Sequence, residues 1–316
     1  MSKIEINVVY SDWPTGDVVV YENDKGRVWR SKNKMPNAHN IGMSSYSLPN
    51  PQSDDSIWII EPRCIVDKDY DVDFVSRYNK IFTWATKAFE NTSVAHKVVE
   101  LNHPSITFTP SADELKKLWT PWHERTNEIV FVANNKNSHH NSQLYTLRIR
   151  LADALAKYSK FKVSWYGEAP LSKPYYCGRA GDKFSLLNKV KFSVCTENSY
   201  DPVYTHGYLS EKMPEVIVAG AVPIYIGCHN IDELNVPKGE NAYVDLRKYL
   251  GWRDFNSNNR AVQIDYRALI DRLNNFDENC YEQMKESVLE NVRDPKGLYY
   301  VSSWERMWEK VVESFV

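Results

Sequence analysis

Residues 190–227 contain the pattern that most constrains the fold of this chain. Two apolar runs typical of buried strands, Val190–Val194 and Ala221–Ile226, enclose a polar segment and a short helix, which Pro214 favours near its first turn. A strand, a polar loop, a helix and a second strand, in this order, are how α/β domains build ligand sites at the carboxyl ends of their strands. The polar residues of this segment are therefore candidate ligand contacts: Glu197, Asn198, Ser199, Tyr208, Glu211 and Lys212.

The same alternation of strand-like and helix-like segments extends along the chain. Apolar runs predict further strands at 4–10, 57–61, 80–85, 129–133 and 161–166. Helical spacing of apolar residues predicts helices at 142–157 and 182–188. Ser111 and Glu114 have the spacing of a capping box, which predicts a short helix ending near Trp119. We therefore expect parallel sheet with helices on both faces.

Three other segments have patterns of their own. The polar stretch Asn33–Asp55 predicts a long loop, and residues 98–109, interrupted by Pro104, predict irregular structure. A helix from about Ser302 is predicted to dock on a core through one apolar stripe, formed by Trp304, Met307, Trp308, Val311, Val312 and Phe315.

With 316 residues, the chain is long enough for two domains that each bury a core. We expect an amino-terminal α/β domain at residues 1–122 and a Rossmann-like domain at residues 123–290. A last segment, residues 291–316, is expected to pack back across both domains. The linker is expected within Pro121–Asn127.

Charge and cysteine content narrow the class of protein. A net charge of -2 without a long basic block argues against a nucleic-acid surface. The five cysteines are scattered and form no C-x-x-C pair, so we expect reduced, buried thiols in a soluble, cytoplasmic protein. No signal peptide and no apolar run of about 20 residues is visible, so no membrane-spanning segment is expected. The oligomeric state stays open.

Three blocks of residues 190–227 resemble the motif of the α1,3-fucosyltransferases, glycosyltransferase family ten. The blocks are Thr196-Glu197-Asn198-Ser199, Tyr208-Leu209-Ser210-Glu211-Lys212 and Ala221-Val222-Pro223-Ile224-Tyr225-Ile226-Gly227. Their order makes the resemblance specific. Thr196 stands where the family has an aromatic residue, Ser210 replaces a Thr, and the spacer Tyr200–Gly207 is a few residues longer than usual. Recognisable similarity extends over about residues 57–250.

The resemblance implies a GT-B architecture, in which two Rossmann-like domains face each other across a cleft. It implies inverting transfer of L-fucose from GDP-fucose to a glycan hydroxyl, with an α1,3 linkage. The partners would be the nucleotide-sugar donor, bound by the second domain, and the glycan acceptor, bound by the first; no cofactor is expected. Two alternatives remain: another nucleotide sugar as donor, or a carbohydrate-binding pseudoenzyme. The Glu211–Lys212 pair and Glu61 argue against a pseudoenzyme, which would not need both charge roles.

Two cations are expected to stabilise the leaving diphosphate. By the resemblance, Lys212 binds the diphosphate and Glu211 contacts the ribose of the nucleotide. The strand, turn and helix of residues 132–155 also resemble the family, which assigns a phosphate contact to Arg148, whose planar fork suits a phosphate. Arg150 points elsewhere on the same helix. The asparagine of the phosphate turn is either Asn134 or Asn135.

The acceptor base is expected across the cleft, at Glu61. This residue ends a predicted strand and precedes Pro62, a context comparable with that of the base in the family, although the family has one more residue before the proline. Glu197, Asn198 and Tyr208 complete the expected donor pocket. Glu197 has an equally good alternative role as a structural group that holds the loop.

The sequence contains no convincing metal site. The stretch Asp69–Asp73 spells the Asp-x-Asp pattern twice but lies in an acidic run that favours a solvated loop. The pair His139-His140 falls in a predicted turn and lacks the usual companions of a metal ligand. We therefore expect activity without a divalent metal.

Overall fold

The structure, a computed structural model, describes residues 3–10, 16–103, 110–251 and 263–316, with the side chain of Tyr300 excepted. Its described part contains two sheets, the first almost wholly parallel and the second wholly parallel. The first sheet has the strand order β2-β3-β1-β4-β5-β6-β7, and all its neighbours are parallel except β2 and β3. Its strands are β1 (Ile4–Val9), β2 (Val18–Glu22), β3 (Gly26–Ser31), β4 (His39–Met43), β5 (Ser56–Ile59), β6 (Ile81–Thr83) and β7 (Val98–Glu100).

Strand β4 corrects the prediction of a loop at Asn33–Asp55. It lies between β1 and β5, near the middle of the sheet, and pairs with both in parallel. Its sequence, His-Asn-Ile-Gly-Met, lacks the β-branched alternation of a typical strand. The polar Asn40 is tolerated there because its side-chain oxygen accepts a hydrogen bond of 2.8 Å from Asn7 Nδ2, and both residues are buried.

The segment 98–109 was predicted irregular, and this is wrong for its first residues. Residues 98–100 form the edge strand β7, whereas residues 104–109 lie outside the described ranges. Strands β2 and β3 also have no counterpart in the sequence prediction.

The second sheet has six parallel strands in the order β10-β9-β8-β11-β12-β13. This is the order of the Rossmann fold, which reverses direction between β8 and β11. Ligands of such sheets bind at this reversal, at the carboxyl ends of the strands. The strands are β8 (Thr126–Val132), β9 (Lys162–Tyr166), β10 (Tyr176–Gly178), β11 (Val190–Thr196), β12 (Val222–Ile226) and β13 (Val244–Asp245).

The helices cover the sheets. Those that the sequence predicted are present, with bounds that shift by a few residues, whereas the helices at residues 72–75, 266–274, 278–293 and 298–301 have no counterpart in the sequence prediction. The capping box of α2 is present, with Ser111 and Glu114 each bonded to the backbone of the other. The helices are α1 (Val72–Val75), α2 (Ala112–Leu118), α3 (Tyr145–Tyr158), α4 (Lys183–Lys189), α5 (Lys212–Val218), α6 (Tyr266–Asn274), α7 (Glu278–Arg293), α8 (Leu298–Val301) and α9 (Trp304–Glu313). No helix in the described ranges has the length and apolarity needed to cross a membrane.

Helix α9 packs against the first sheet, although it is last in the chain. Its buried stripe, which includes Met307 and Val311, joins a core with Ile6, Val28 and Trp58. The Trp308 ring meets that of Trp58 edge to face at 5.5 Å. Full burial of one such side chain is worth about 1.5–3 kcal/mol, so this stripe is a main support of the first sheet.

All five cysteines are free thiols, but the prediction that they are all buried is wrong. Cys195 and Cys228 lie in the core, whereas Cys177 is exposed at the edge strand β10.

Candidate active site

The loops after β8 and β11 join at the reversal point of the second sheet. Gln143 and Ser199 form an antiparallel bridge, and the backbone N–H of Leu144 donates to the carbonyl of Asn198 at 3.0 Å. The backbone of the Glu197–Ser199 turn is therefore fixed against the amino end of α3.

Arg148 is the centre of this turn. Its Nε donates to Thr196 Oγ1 at 2.5 Å, and its Nη2 donates to the carbonyls of Thr196 and Glu197, both at 2.7 Å, and to Asn198 Oδ1 at 3.0 Å. The side chain is buried, and burial lowers the pKa of the guanidinium without bringing it near neutrality. Its Nη1 makes no hydrogen bond within the described part of the chain, so this nitrogen alone is available to an anion. The predicted phosphate contact thus also holds the site together.

Glu197 lies fully buried beside Arg148 and anchors the start of α5. Its Oε1 accepts from the backbone N–H of Ser210 at 2.8 Å, and its Oε2 accepts from Ser210 Oγ at 2.6 Å. Lys212 Nζ lies 3.1 Å from the same Oε2. All these contacts are structural, so the alternative role of Glu197, holding the loop, accounts for its position.

Gly227 lets Glu197 take this position. A Cβ atom at residue 227 would lie 2.1 Å from Glu197 Cγ, closer than atoms in a folded protein approach. The glycine that ends the third motif block is therefore required because the glutamate of the first block passes directly over it.

Lys212 is held between two carboxylates. Besides its bond with Glu197, Nζ lies 3.5 Å from Glu211 Oε1, and the side chain retains 21% exposure. Burial would lower the pKa of this ammonium, but the charges of Glu197 and Glu211 outweigh burial and raise it. The pKa of Glu211 falls to about 2; burial opposes this, and the charge of Lys212 drives it. Both groups are charged at neutral pH.

Glu61 belongs to the first domain, where it lies two residues beyond the end of β5. Its backbone carbonyl accepts from the Tyr70 hydroxyl at 3.1 Å, but its carboxylate has no hydrogen bond or ion pair within the described ranges. Burial raises the pKa of this carboxyl, while the charges of Lys212 and Lys136 lower it. The structure therefore brings Glu61 within electrostatic reach of the Lys212 cluster. Lys136, in the loop after β8, is a cation that the sequence analysis missed.

Tyr208 belongs to the packing between the two sheets. Its ring stacks on Trp84 of the first domain at 4.5 Å, and it is almost wholly buried. Its hydroxyl accepts from Asn198 Nδ2 at 3.4 Å. Gly207, at φ +87°, approaches so closely that a Cβ would lie 2.6 Å from the Trp84 carbonyl oxygen. Tyr208 therefore supports Asn198 from inside the protein.

The long spacer Tyr200–Gly207 is part of the same interface. The Tyr204 ring meets the Tyr70 ring edge to face, with centroids 5.6 Å apart. The Arg63 guanidinium lies over the Tyr204 ring, 4.5 Å from its centroid. The extra residues of the spacer thus bind the second domain to the loop that carries Glu61. Cys64 and Asn198 are also joined, with the thiol 3.5 Å from the carbonyl.

His103 is a second residue that the sequence analysis missed. It follows β7, and its ring meets that of Tyr208 at 5.9 Å. Its Nδ1 is buried and has no hydrogen-bond partner in the described part of the chain. Burial lowers the pKa of this imidazole to about 4, against a smaller opposing effect of Glu211, so the ring is neutral at physiological pH. Its position after a strand end was a signal, but the strand itself had not been predicted.

The remaining candidates lie away from this cluster or serve local structure. Asn134 Oδ1 accepts from the N–H of Glu168 at 2.7 Å, and Asn135 Nδ2 donates to the Pro170 carbonyl at 3.2 Å. His140 Nδ1 accepts from the N–H of Ser142 at 3.2 Å. Arg150 lines a separate pocket of 440 Å³ between α3 and α6.

The Asp69–Asp73 run was predicted to be a solvated loop, which is confirmed for the exposed Asp71 and Asp73 and wrong for Asp69. Asp69 is fully buried, and its Oδ1 accepts from the backbone N–H of Ser45 at 2.8 Å. Asp71 caps α1 through Asp73 N and Phe74 N. In the described ranges, no three histidine, cysteine or acidic side chains converge as metal ligands would.

Comparisons with known proteins place this architecture. No family model and no curated protein matches the sequence. Solved structures do match. An α1,3-fucosyltransferase with GDP-fucose is 15% identical and aligns over 98% of this chain and 90% of its own, with a TM-score of 0.54.

This chain has the GT-B fold. Two other glycosyltransferases of similar architecture support this assignment. A mutant of S. aureus TarM, in complex with fondaparinux, α-GlcNAc-glycerol and UDP, is 12% identical; the alignment covers 89% of this chain and 51% of TarM, with a TM-score of 0.51. The DNA-modifying enzyme β-glucosyltransferase is 10% identical; the alignment covers 98% of this chain and 100% of that enzyme, with a TM-score of 0.50. At these identities the likeness establishes architecture, and function must be argued from the site.

Proposed function

We propose that this protein is an inverting glycosyltransferase that transfers L-fucose from GDP-fucose to a hydroxyl of a glycan, in α1,3 linkage. The observation that carries the proposal is the arrangement of Glu61, an unpaired and partly buried carboxylate in the described part of the chain, within electrostatic reach of the paired Lys212. One side then holds a base for the acceptor, and the other holds charge for the leaving group.

Glu61 is the proposed base. As the acceptor oxygen attacks the anomeric carbon, its proton passes to the Glu61 carboxylate, and the bond from that carbon to the diphosphate breaks. A single displacement inverts the anomeric centre and needs one base. The raised pKa of Glu61 brings its basicity closer to neutral pH, where a general base is most effective.

Lys212 and Arg148 are the proposed stabilisers of the departing diphosphate. Lys212 stays protonated because Glu197 and Glu211 raise its pKa, and Arg148 is charged at any physiological pH. Their positions are fixed by hydrogen bonds before a ligand arrives, which is what makes charge stabilisation effective. Asn198 is proposed to contact the donor, with Tyr208 holding it from behind.

The first test is a thermal-shift comparison of GDP and UDP. GDP at about 100 times its dissociation constant should stabilise the fold by roughly 2.7 kcal/mol. Equal shifts with the two nucleotides would remove the basis for guanine. A larger shift with UDP would favour the alternative of another nucleotide sugar, since TarM is described with UDP and β-glucosyltransferase with uridine diphosphoglucose.

The second test compares Glu61→Gln with Glu90→Gln, an exposed carboxylate of the same domain. Glu61→Gln should lower turnover of GDP-fucose by about 10²–10⁴ and leave GDP affinity unchanged. Glu90→Gln should behave as the unaltered protein. Activity should survive EDTA. Normal turnover in Glu61→Gln, or loss of activity with EDTA that Mn²⁺ restores, would refute the mechanism.

A further inference from the structure

The first sheet has a reversal point of its own, between β1 and β4. Leaving aside the antiparallel edge strand β2, the chain adds β3 on one side of β1 and then continues on the other side with β4, β5, β6 and β7. Crevices at such points, beyond the carboxyl ends of the strands, are where open α/β sheets bind ligands. Two tyrosines follow the strands at this reversal point, Tyr10 directly after β1 and Tyr46 three residues after β4. Their ring centroids are 5.9 Å apart and their planes are inclined by 52°.

Tyr46 is exposed on a backbone that is firmly held. Its side chain has 47% exposure, high for a large aromatic residue. Ser44 has a φ of +63°, an uncommon conformation for a residue with a side chain, and its N–H donates to the Trp58 carbonyl at 2.9 Å. Ser45 N–H is bound by the buried Asp69. The turn therefore presents the Tyr46 ring to solvent on a backbone that these hydrogen bonds hold in place.

The turn is tied to the loop that carries Glu61. Met43 of β4 pairs with Trp58 of β5, so Tyr46 and Glu61 each lie three residues past a paired position at the same edge. Asp69 holds the turn, and its neighbour Tyr70 donates to the Glu61 carbonyl. The pKa of Tyr46 is raised, mainly by burial and secondly by the Tyr10 phenol. The charge of Glu61 adds to this effect. The exposed ring and the proposed base thus share one framework.

We propose that Tyr10 and Tyr46 form an acceptor subsite, in which the face of a pyranoside lies against the Tyr46 ring with one hydroxyl directed at Glu61. Pyranosides with a continuous patch of C–H groups on one face suit a flat aromatic ring, and the phenol hydroxyls suit their polar rim. The choice of Glu61 as the partner rests on the proposed function. The stacking itself does not depend on which nucleotide is the donor.

The test uses ligand-observed NMR titration of the full chain with methyl β-D-galactopyranoside, and with galactitol as an open-chain probe of similar hydroxyl content. The pyranoside should bind, and galactitol should bind at least fivefold more weakly. Tyr46→Ala should weaken pyranoside binding at least fivefold, while Tyr46→Phe, which keeps the ring, should stay within about twofold. Tyr158→Ala removes the exposed tyrosine of α3, with 61% exposure, and should change nothing.

Wild-type affinity in Tyr46→Ala would overturn the subsite, and so would equal losses in Tyr46→Ala and Tyr158→Ala. Absence of binding to the unaltered protein, or equal binding of galactitol, would overturn it as well. Thermal melts of each variant separate loss of the ring from loss of the fold. The GDP shift is measured in the same samples: if it is absent while Tyr46-dependent pyranoside binding persists, the donor assignment fails and the subsite stands.

Discussion

Lys212 Nζ lies 3.1 Å from Oε2 of Glu197, a carboxylate with no exposed surface. The pair joins the first motif block to the second across a gap of 15 residues. A buried charge needs such a partner, because an ion without one is far less stable in the interior than in water. The cation that the proposed reaction requires is therefore also part of the stability of the fold.

Glu197→Gln should destabilise the protein by about 3 kcal/mol, the lower end for a buried pair that loses one partner, since Lys212 keeps some contact with solvent. GDP affinity should fall together with stability, because Ser210 and Lys212 lose their anchor. Urea unfolding and nucleotide titration measure the two effects. The matched control is Glu215→Gln, which breaks the exposed pair with Lys183 and should cost less than about 1 kcal/mol. Equal costs in the two variants would contradict this account.

Gly227→Ala should destabilise by at least about 1–3 kcal/mol, because the added methyl group overlaps the Glu197 side chain and forces it to move. Donor binding should weaken in step. Gly16→Ala is the control, since no atom of the described residues lies within 4 Å of the methyl group there. A Gly227→Ala protein with normal melting temperature and normal GDP affinity would show that Glu197 does not hold the loop.

The acid limb of the pH profile of kcat/KM should report Glu61. Burial raises its pKa above the ordinary carboxyl value, so activity should fall at a higher pH than a free glutamate would give. Lys136→Met removes a charge that lowers this pKa, so the limb should move to higher pH; Glu211→Gln should move it to lower pH. Shifts of a few tenths of a pH unit are expected, since exposed charges interact by about 1 kcal/mol or less. Lys117→Met, on α2, should leave the limb in place, and movement in the wrong direction would argue for another base.

His103 should make stability depend on pH. Its folded pKa is about 4, against about 6.5 in the unfolded chain, so the unfolded state takes up the proton first as pH falls. The contribution of the neutral His103 to the free energy of unfolding is therefore fully present above pH 6.5 and is lost as the pH falls towards 4. The free energy of unfolding of the unaltered protein should fall between pH 7.5 and 4.5, and in His103→Gln this fall should be smaller by about 2–3 kcal/mol. His96→Gln, in the 3-10 turn before β7, should not, and identical pH dependence in both variants would refute the buried neutral imidazole.

Several strands and helices of the second domain could be predicted from sequence, because the spacing of their apolar residues matches the faces that are buried in the fold. Strand β11 and helix α5 have apolar runs that only one environment suits. Strand β4 could not, because its Asn40 is stabilised by Asn7, a partner 33 residues away that local pattern does not reveal.

The sequence identifies most residues of the candidate site, but it does not determine the role of each one. The motif blocks name Glu197 and Tyr208, and the resemblance of residues 132–155 names Arg148, but whether a polar group faces a ligand or its neighbours depends on backbone geometry. Tyr208 lies inside because Trp84 offers a stacking partner, and Arg148 Nη2 donates to the backbone carbonyls of Thr196 and Glu197. His103 and Tyr46 follow strands that the sequence did not predict, and so no pattern singled them out.

Helix α9 completes a core whose other members are made first. During synthesis β1 leaves the ribosome nearly 300 residues before Met307 and Trp308 do. Until then the face of Ile6, Val28 and Trp58 has no cover, so the nascent amino-terminal half exposes an apolar surface that chaperones bind. The two halves of the cleft therefore become stable together, late, rather than one after the other.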